Sequence, residues 1–256
     1  VTEACESKIA SRVLGTEVVI VLLLSLGASG ILAVLRIIDL LTSHAALSSH
    51  TAYLVRPVTP DRPWLDLTYQ LVTIGLNLVP VALVAHFLAR SGEGLGGIGI
   101  DRRDPARDLA RGLVLAALVG GTGLALYFAA QSLGLSVTLV PSALGQVWWA
   151  IPVLVLAAIE NALLEETVVL GYLIHRCDQL RVKSALTIGA SALLRGSYHL
   201  YQGFGGFIGN LAMGLLFGVL YRRWGRAMPF VVAHAVIDIV AFVGYQLLHG
   251  HVSWLH

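Results

Sequence analysis

The sequence predicts an all-α, multi-pass transmembrane helical bundle of about seven spans with a cytoplasmic amino terminus. Three observations lead there. Of the 256 residues, 57% are hydrophobic and only 12% charged, about half the charged share of an ordinary soluble domain. The apolar stretches run on without alternating, which argues for helices over a membrane barrel. Finally, 13 of the 17 lysines and arginines fall in segments that would share one side of the bilayer, and an excess of Lys and Arg marks the cytoplasmic side.

Taken in order, residues 1–16 read as a short polar cytoplasmic lead carrying Lys8 and Arg12. The first span is expected from Glu17 to Leu41, with Arg36 and Asp39 near its outer end, where long side chains snorkel. The first run is too long for a secretory signal, and no cleavage site follows it. A polar loop with His44, His50, Arg56 and Asp61 leads to a second span from Trp64 to Ala89, bent by Pro80. Residues 90–112 form a glycine-rich turn and a densely charged linker. A third span from Leu109 to Leu133 carries a small-residue patch at Gly120, Gly121 and Gly123, a device for close helix packing. An uncharged loop leads to the fourth span, Trp148 to Ile174, with Trp148 and Trp149 as an interfacial anchor. The fifth, sixth and seventh spans are Ser184 to Leu200, Phe204 to Tyr221 and Met228 to Leu248, the sixth presenting a Gly214-x-x-x-Gly218 face. The whole chain, 1–256, reads as a single membrane domain. Cys5 and Cys177 both fall on the cytoplasmic side and are expected as free thiols.

The fourth span breaks the apolar rule with Glu160, Asn161, Glu165 and Glu166. A charge at the centre of a membrane helix costs about 2.5–3.5 kcal/mol on insertion scales, so each such residue needs an interior partner or a task. Two adjacent carboxylates also repel, leaving one protonated or paired with a cation. Candidate partners lie on other spans: Arg195 one turn from His199, and His234 one turn from Asp238. Two carboxylates and two histidines at similar depth are the parts needed to activate water. Glutamate takes the proton, and histidine with amide or acid groups steadies the developing oxyanion. Hydrolysis of a peptide bond brought into a membrane cavity fits that set. His199 alone comes out of register, near 22 Å from the cytoplasmic end of its span at about 1.5 Å per residue.

At this point the residues resemble a known family. EETVVLGYL, LLRGSYHLYQGFGGFIGN and GLLFGVLYRRWGRAMPFVVAHAVID are similar to the CPBP intramembrane proteases, which include CAAX prenyl endopeptidases and bacteriocin-processing, bacteriocin-immunity and abortive-infection relatives. The family pattern is a double glutamate with a downstream arginine, a phenylalanine four residues before a histidine, and a second histidine four before an asparagine or aspartate. The likeness covers Leu163 to Val243, with a family core at 160–243. It implies Glu165 as the general base, Glu166 as its partner, His199 and His234 as carbonyl- or water-holding groups, and Asp238 as completing the last motif. Two positions depart: Leu170 stands where the arginine is expected, and Arg195 where the phenylalanine is expected. A spatial exchange, with Arg195 supplying the missing cation to Glu166 from the fifth span, would reconcile them.

The expectation is therefore an intramembrane endopeptidase in a bacterial cell membrane, acting on a membrane protein or lipidated peptide, with no nucleic-acid partner and no cofactor. A metal at Glu165, His199 and His234 ranks lower, and no HExxH zinc motif is present. The alternative is a catalytically inactive CPBP-fold scaffold that binds a partner protein; a proton-coupled transporter ranks third. Glu160 and Asn161 read as structural, and His86, His249 and His251 as solvated. Ser191 lacks the glycine of a rhomboid serine turn, and Asp101 in GIGID lacks the partner that an aspartyl intramembrane protease needs.

Overall fold

The computed structural model describes residues 2–43 and 45–249, with side chains from residue 11 onward. Cys5, Lys8, His44 and His251 of the sequence reading lie outside those side chains. Ten α-helices dominate: α1 (Thr2–Leu23), α2 (Leu26–Thr42), α3 (Pro63–Asn77), α4 (Val79–Arg90), α5 (Pro105–Ser132), α6 (Ala150–Glu165), α7 (Leu173–Gln179), α8 (Ser184–Tyr198), α9 (Phe204–Trp224) and α10 (Met228–Leu248). Two strands, β1 (Thr51–Val55) and β2 (Thr138–Ser142), pair in parallel, Thr51 opposite Thr138. The all-α expectation holds for the helical body. Among the described residues four helical segments are long and apolar enough to cross a membrane, or five if a bent pair counts as one.

That bent pair is the first span. Helix already begins at Thr2, so the supposed polar lead is helical, and α1 meets α2 at 51°. The bend presses the Leu22 carbonyl oxygen to 2.6 Å from where a Cβ on Gly27 would lie, so only glycine fits without a shift. The second span breaks between α3 and α4 at Leu78, two residues before Pro80, which lacks an N–H to carry the ladder through. The fourth span is interrupted by a π-helical segment, Glu166–Tyr172, between α6 and α7. The fifth is shorter than expected. Helix α8 stops at Tyr198, about 22 Å at 1.5 Å per residue, short of a hydrocarbon core of about 30 Å.

Close packing rests on particular glycines. A Cβ on Gly214 would lie 2.8 Å from Ala192 Cα, and one on Gly218 2.8 Å from Ile188, so the expected face on α9 does receive α8. The patch on α5 packs only in part, a Cβ on Gly120 meeting Ile237 of α10 at an ordinary 3.5 Å. Gly121 and Gly123 have nothing within 4 Å, and the close contact is made one end earlier, by Gly112 against Val232 and Pro229 of α10. Trp148 is exposed and tilts against Trp64, whereas Trp149 is buried in the core, so only one of the pair can serve as an anchor.

The charged linker is a clamp. Gly99, at φ +73°, lies against Arg226 so closely that a Cβ would come within 2.2 Å of its Cα. Ala227 N donates to Ile98 O at 3.1 Å and Met228 N to Gly99 O at 3.1 Å. Arg226 meets the buried Asp108 through Nε at 2.9 Å and Nη2 at 2.5 Å, and reaches Asp101 Oδ1 at 2.9 Å. Asp101 is thus the clamp's second acid, and the Arg103 backbone N–H and the Arg226 guanidinium hold its carboxyl below the usual aspartate range.

Candidate active site

Helices α6, α8 and α10 carry the polar residues, and the π-helical segment sits where they converge. Glu165 closes α6 and Glu166 opens the wider turn. A π turn breaks the 100° spacing of the α-helix and recurs at functional sites. Gly171 lets the segment pack tightly, since a Cβ there would meet Ile98 at 2.9 Å. Both carboxylates are buried, Glu166 completely.

One cation serves both. Arg195 Nη2 donates to Glu166 Oε1 at 2.7 Å and Nη1 to Glu165 Oε2 at 3.2 Å, with the guanidinium 5.7 Å from the Phe217 ring centre. The pairing expected from the exchange of motif positions is made. Leu170, in the place of the motif arginine, is buried among Ile174, Phe217 and Phe230 and has no part in the polar cluster. Tyr198 Oη donates to Glu165 Oε2 at 2.7 Å. Glu165 Oε2 is thus doubly held, while Oε1 takes no hydrogen bond within 3.5 Å from the described residues and faces His199 Nε2 at 3.7 Å.

His199 lies just beyond the end of α8, at the start of the 3-10 turn Leu200–Gln202. Helix α8 starts at Ser184 as expected, so His199 still lies about 22 Å along it at 1.5 Å per residue. His234, from α10, places Nδ1 2.8 Å from Glu166 Oε1 and 4.0 Å from Glu165 Oε2. Its Nε2 lies 3.5 Å from Asp238 Oδ2. All six predicted residues, Glu165, Glu166, Arg195, His199, His234 and Asp238, therefore meet in one cluster.

The sequence reading missed three members. Asn161, read as structural, donates from Nδ2 to Asp238 Oδ2 at 2.8 Å and lies 3.4 Å from His234 Nε2. Its place one turn before Glu165 was the available signal. Tyr198 is one turn after Arg195. Gln202, whose Nε2 is 3.1 Å from His199 Nδ1, had no signal beyond proximity in sequence. Glu160 stands apart, taking a long bond of 3.4 Å from Asn77. Ser191 donates to the Val169 carbonyl at 2.7 Å and is spent on packing.

The potential metal set also differs from expectation. Glu165, Glu166 and His234 place one ligand atom each within 4.8 Å of one another, and His199 is outside that group. The fit to a divalent ion is poor on the donor chemistry, because Arg195 already brings a positive charge to both carboxylates.

Fold and site together define a helical integral membrane protein with a buried carboxylate, arginine and histidine centre. Residues 146–240 match the family model described as type II CAAX prenyl endopeptidase Rce1-like, and every site residue lies within them. That match is consistent with the resemblance to CPBP intramembrane proteases and supports a CAAX-type intramembrane protease fold. No curated protein and no solved structure matches the chain.

Proposed function

We propose that the protein is an intramembrane endopeptidase of the bacterial cell membrane, hydrolysing a peptide bond in a membrane-associated or lipidated protein by glutamate-activated water. The observation that carries this reading is the asymmetry of Glu165. Its Oε2 is held by Arg195 and Tyr198, leaving Oε1 as the oxygen free to take a proton, opposite His199 Nε2.

In the proposed reaction, water between Glu165 Oε1 and His199 gives its proton to Oε1 as the hydroxide adds to the scissile carbonyl carbon. The oxyanion so formed accepts a hydrogen bond from an imidazole N–H, a role for His199 Nε2–H. Glu165 then passes its proton to the leaving amine nitrogen as the C–N bond breaks, which balances the step. Glu166, bridging Arg195 and His234, holds both beside Glu165. Asn161 and Asp238 hold the far side of His234.

The scaffold reading has one observation in its favour, the apolar Leu170 at the motif arginine, which Arg195 offsets. The discriminating experiment compares membrane proteomes of cells carrying the intact protein or Glu165→Gln. The enzyme reading expects a fragment present with the intact protein and lost with the variant, at equal levels of inserted protein. Unchanged proteomes, together with an unaltered set of co-purifying partners, would establish the scaffold.

A further inference from the structure

His199 can place its proton on either ring nitrogen, and only one choice suits the site. Glu165 Oε1 is a carboxylate oxygen and accepts only. It lies 3.7 Å from His199 Nε2, which has no hydrogen-bond partner among the described residues although it is buried. A lone pair on Nε2 would face that oxygen unfavourably, whereas an N–H would face it favourably. The other nitrogen, Nδ1, lies 3.1 Å from Gln202 Nε2, whose amide nitrogen also donates to Tyr201 Oη at 2.9 Å. With the amide in this orientation its nitrogen donates and Nδ1 accepts. The two ends of the ring call for the same tautomer.

Gln202 is itself held from elsewhere. Its carbonyl accepts from Val137 N at 3.2 Å, and its N–H donates to the His199 carbonyl at 3.0 Å. The next residue, Gly203, at φ +93°, forms an isolated bridge with Ser136, where a Cβ would clash at 2.7 Å with Leu135 O. The segment leading into β2 therefore fixes the turn, the turn fixes the amide, and the amide fixes the imidazole. The rings of Tyr198 and Tyr201 flank His199 with centroids at 4.9 and 6.4 Å, restraining its rotation.

We propose that Gln202 is a positioning residue for the hydrolytic reaction, holding His199 in the tautomer with its proton on Nε2, directed at Glu165 and the oxyanion. The inference rests on the hydrolase reading for its catalytic part, but its structural part can be tested without a substrate.

The test is nitrogen-15 magnetic resonance of histidine-labelled, full-length protein in nanodiscs at about pH 8, above the ordinary imidazole range, with the His199 signals identified by their loss in His199→Asn. The intact protein should show an unprotonated Nδ1 and a protonated Nε2. Gln202→Glu, whose carboxylate accepts only, should move a proton onto Nδ1. Gln202→Met, of similar size and without hydrogen bonds, should leave a mixture of tautomers. An intact protein protonated at Nδ1, or a Gln202→Met spectrum identical to that of the intact protein, overturns the assignment. The Met variant and the intact spectrum decide the matter even if the Glu variant fails to insert.

With a fluorogenic farnesylated peptide as probe, both variants should lose kcat by about 100-fold, the usual size of an acid–base contribution, with KM little changed. Shifted tautomers with unchanged kcat would refute the catalytic role. If the intact protein cleaves neither the probe nor any protein in the proteome comparison, the hydrolase reading falls, while the tautomer spectra still judge the positioning.

Discussion

At the scale of single residues, the cation of the site comes from α8 and not from the position of Leu170. Leu170 fills an apolar pocket, and Arg195 on α8 reaches both glutamates. A buried ion pair contributes little over an apolar replacement of the whole pair, but removing one partner strands the other, at a cost of about 3–5 kcal/mol. Arg195→Met should therefore lower thermal stability in detergent far more than the double variant Arg195→Met with Glu166→Gln, which leaves no unpaired charge on that arm. Equal losses would mean that the arginine acts by packing on Phe217 instead. Leu170→Arg should not restore the family arrangement; it should destabilise, since no acid awaits it in that pocket. The acids and Arg195 were legible in the sequence because a charge inside a membrane helix demands a partner. Tyr198 and Gln202 were not, because a hydroxyl and an amide near a helix end are ordinary until their partners are known.

At the scale of elements, the helix positions were readable from the lengths of the apolar runs and the break beside Pro80 from the proline, whereas the other places where helices bend, widen or stop were not. The bend at Gly27, the π turn after Glu165 and the early end of α8 depend on what packs against each, which periodicity does not carry. The β1–β2 pairing was equally hidden, since its strands sit 87 positions apart in two loops that read as merely polar or uncharged. The α5 glycines teach the same lesson. Gly112→Leu should force Val232 and α10 away and cost about 1–3 kcal/mol, the usual penalty of overpacking. Gly121→Leu, with open space around it, should leave stability unchanged or raise it, glycine being a poor helix residue. Unfolding curves of the two variants side by side decide it. The linker clamp adds a pH dependence. Asp101 has its folded pKa depressed, so the folded state binds fewer protons than the unfolded one as pH drops below the usual aspartate range. Its stabilisation is complete above about pH 4 and fades as pH falls through the depressed value. Asp101→Asn should lower the melting temperature near neutrality and flatten that acid limb, so that the two proteins converge at low pH, as read from melting temperatures at stepped pH.

At the scale of the whole molecule, the orientation in the bilayer follows from which loops gather at which end. The linker after α4, the α7–α8 turn and the α9–α10 turn share one end, joined by Arg226 to Asp101 and Asp108 and by Arg222 to Asp178 at 2.5 Å. The β1–β2 pair lies at the other, where Ser142 Oγ donates to Gln246 near the end of α10 at 2.7 Å. The first end holds most of the arginines, and the second holds Arg56 and Arg62. Translocating Lys- and Arg-rich loops is disfavoured, so the arginine-rich end should be cytoplasmic, with the amino terminus beside it. Two exposed positions report on the two ends: Arg103, whose side chain is 79% exposed, and Val58, 56% exposed. In full-length protein with Cys5 and Cys177 replaced by serine, a membrane-impermeant thiol reagent added to spheroplasts should label Val58→Cys at once and Arg103→Cys only after the membrane is permeabilised. The reverse pattern would turn the molecule over. It would also move the turn carrying His199 and Gln202 to the cytoplasmic side of the glutamate pair, and with it the side from which a substrate could reach the free oxygen of Glu165.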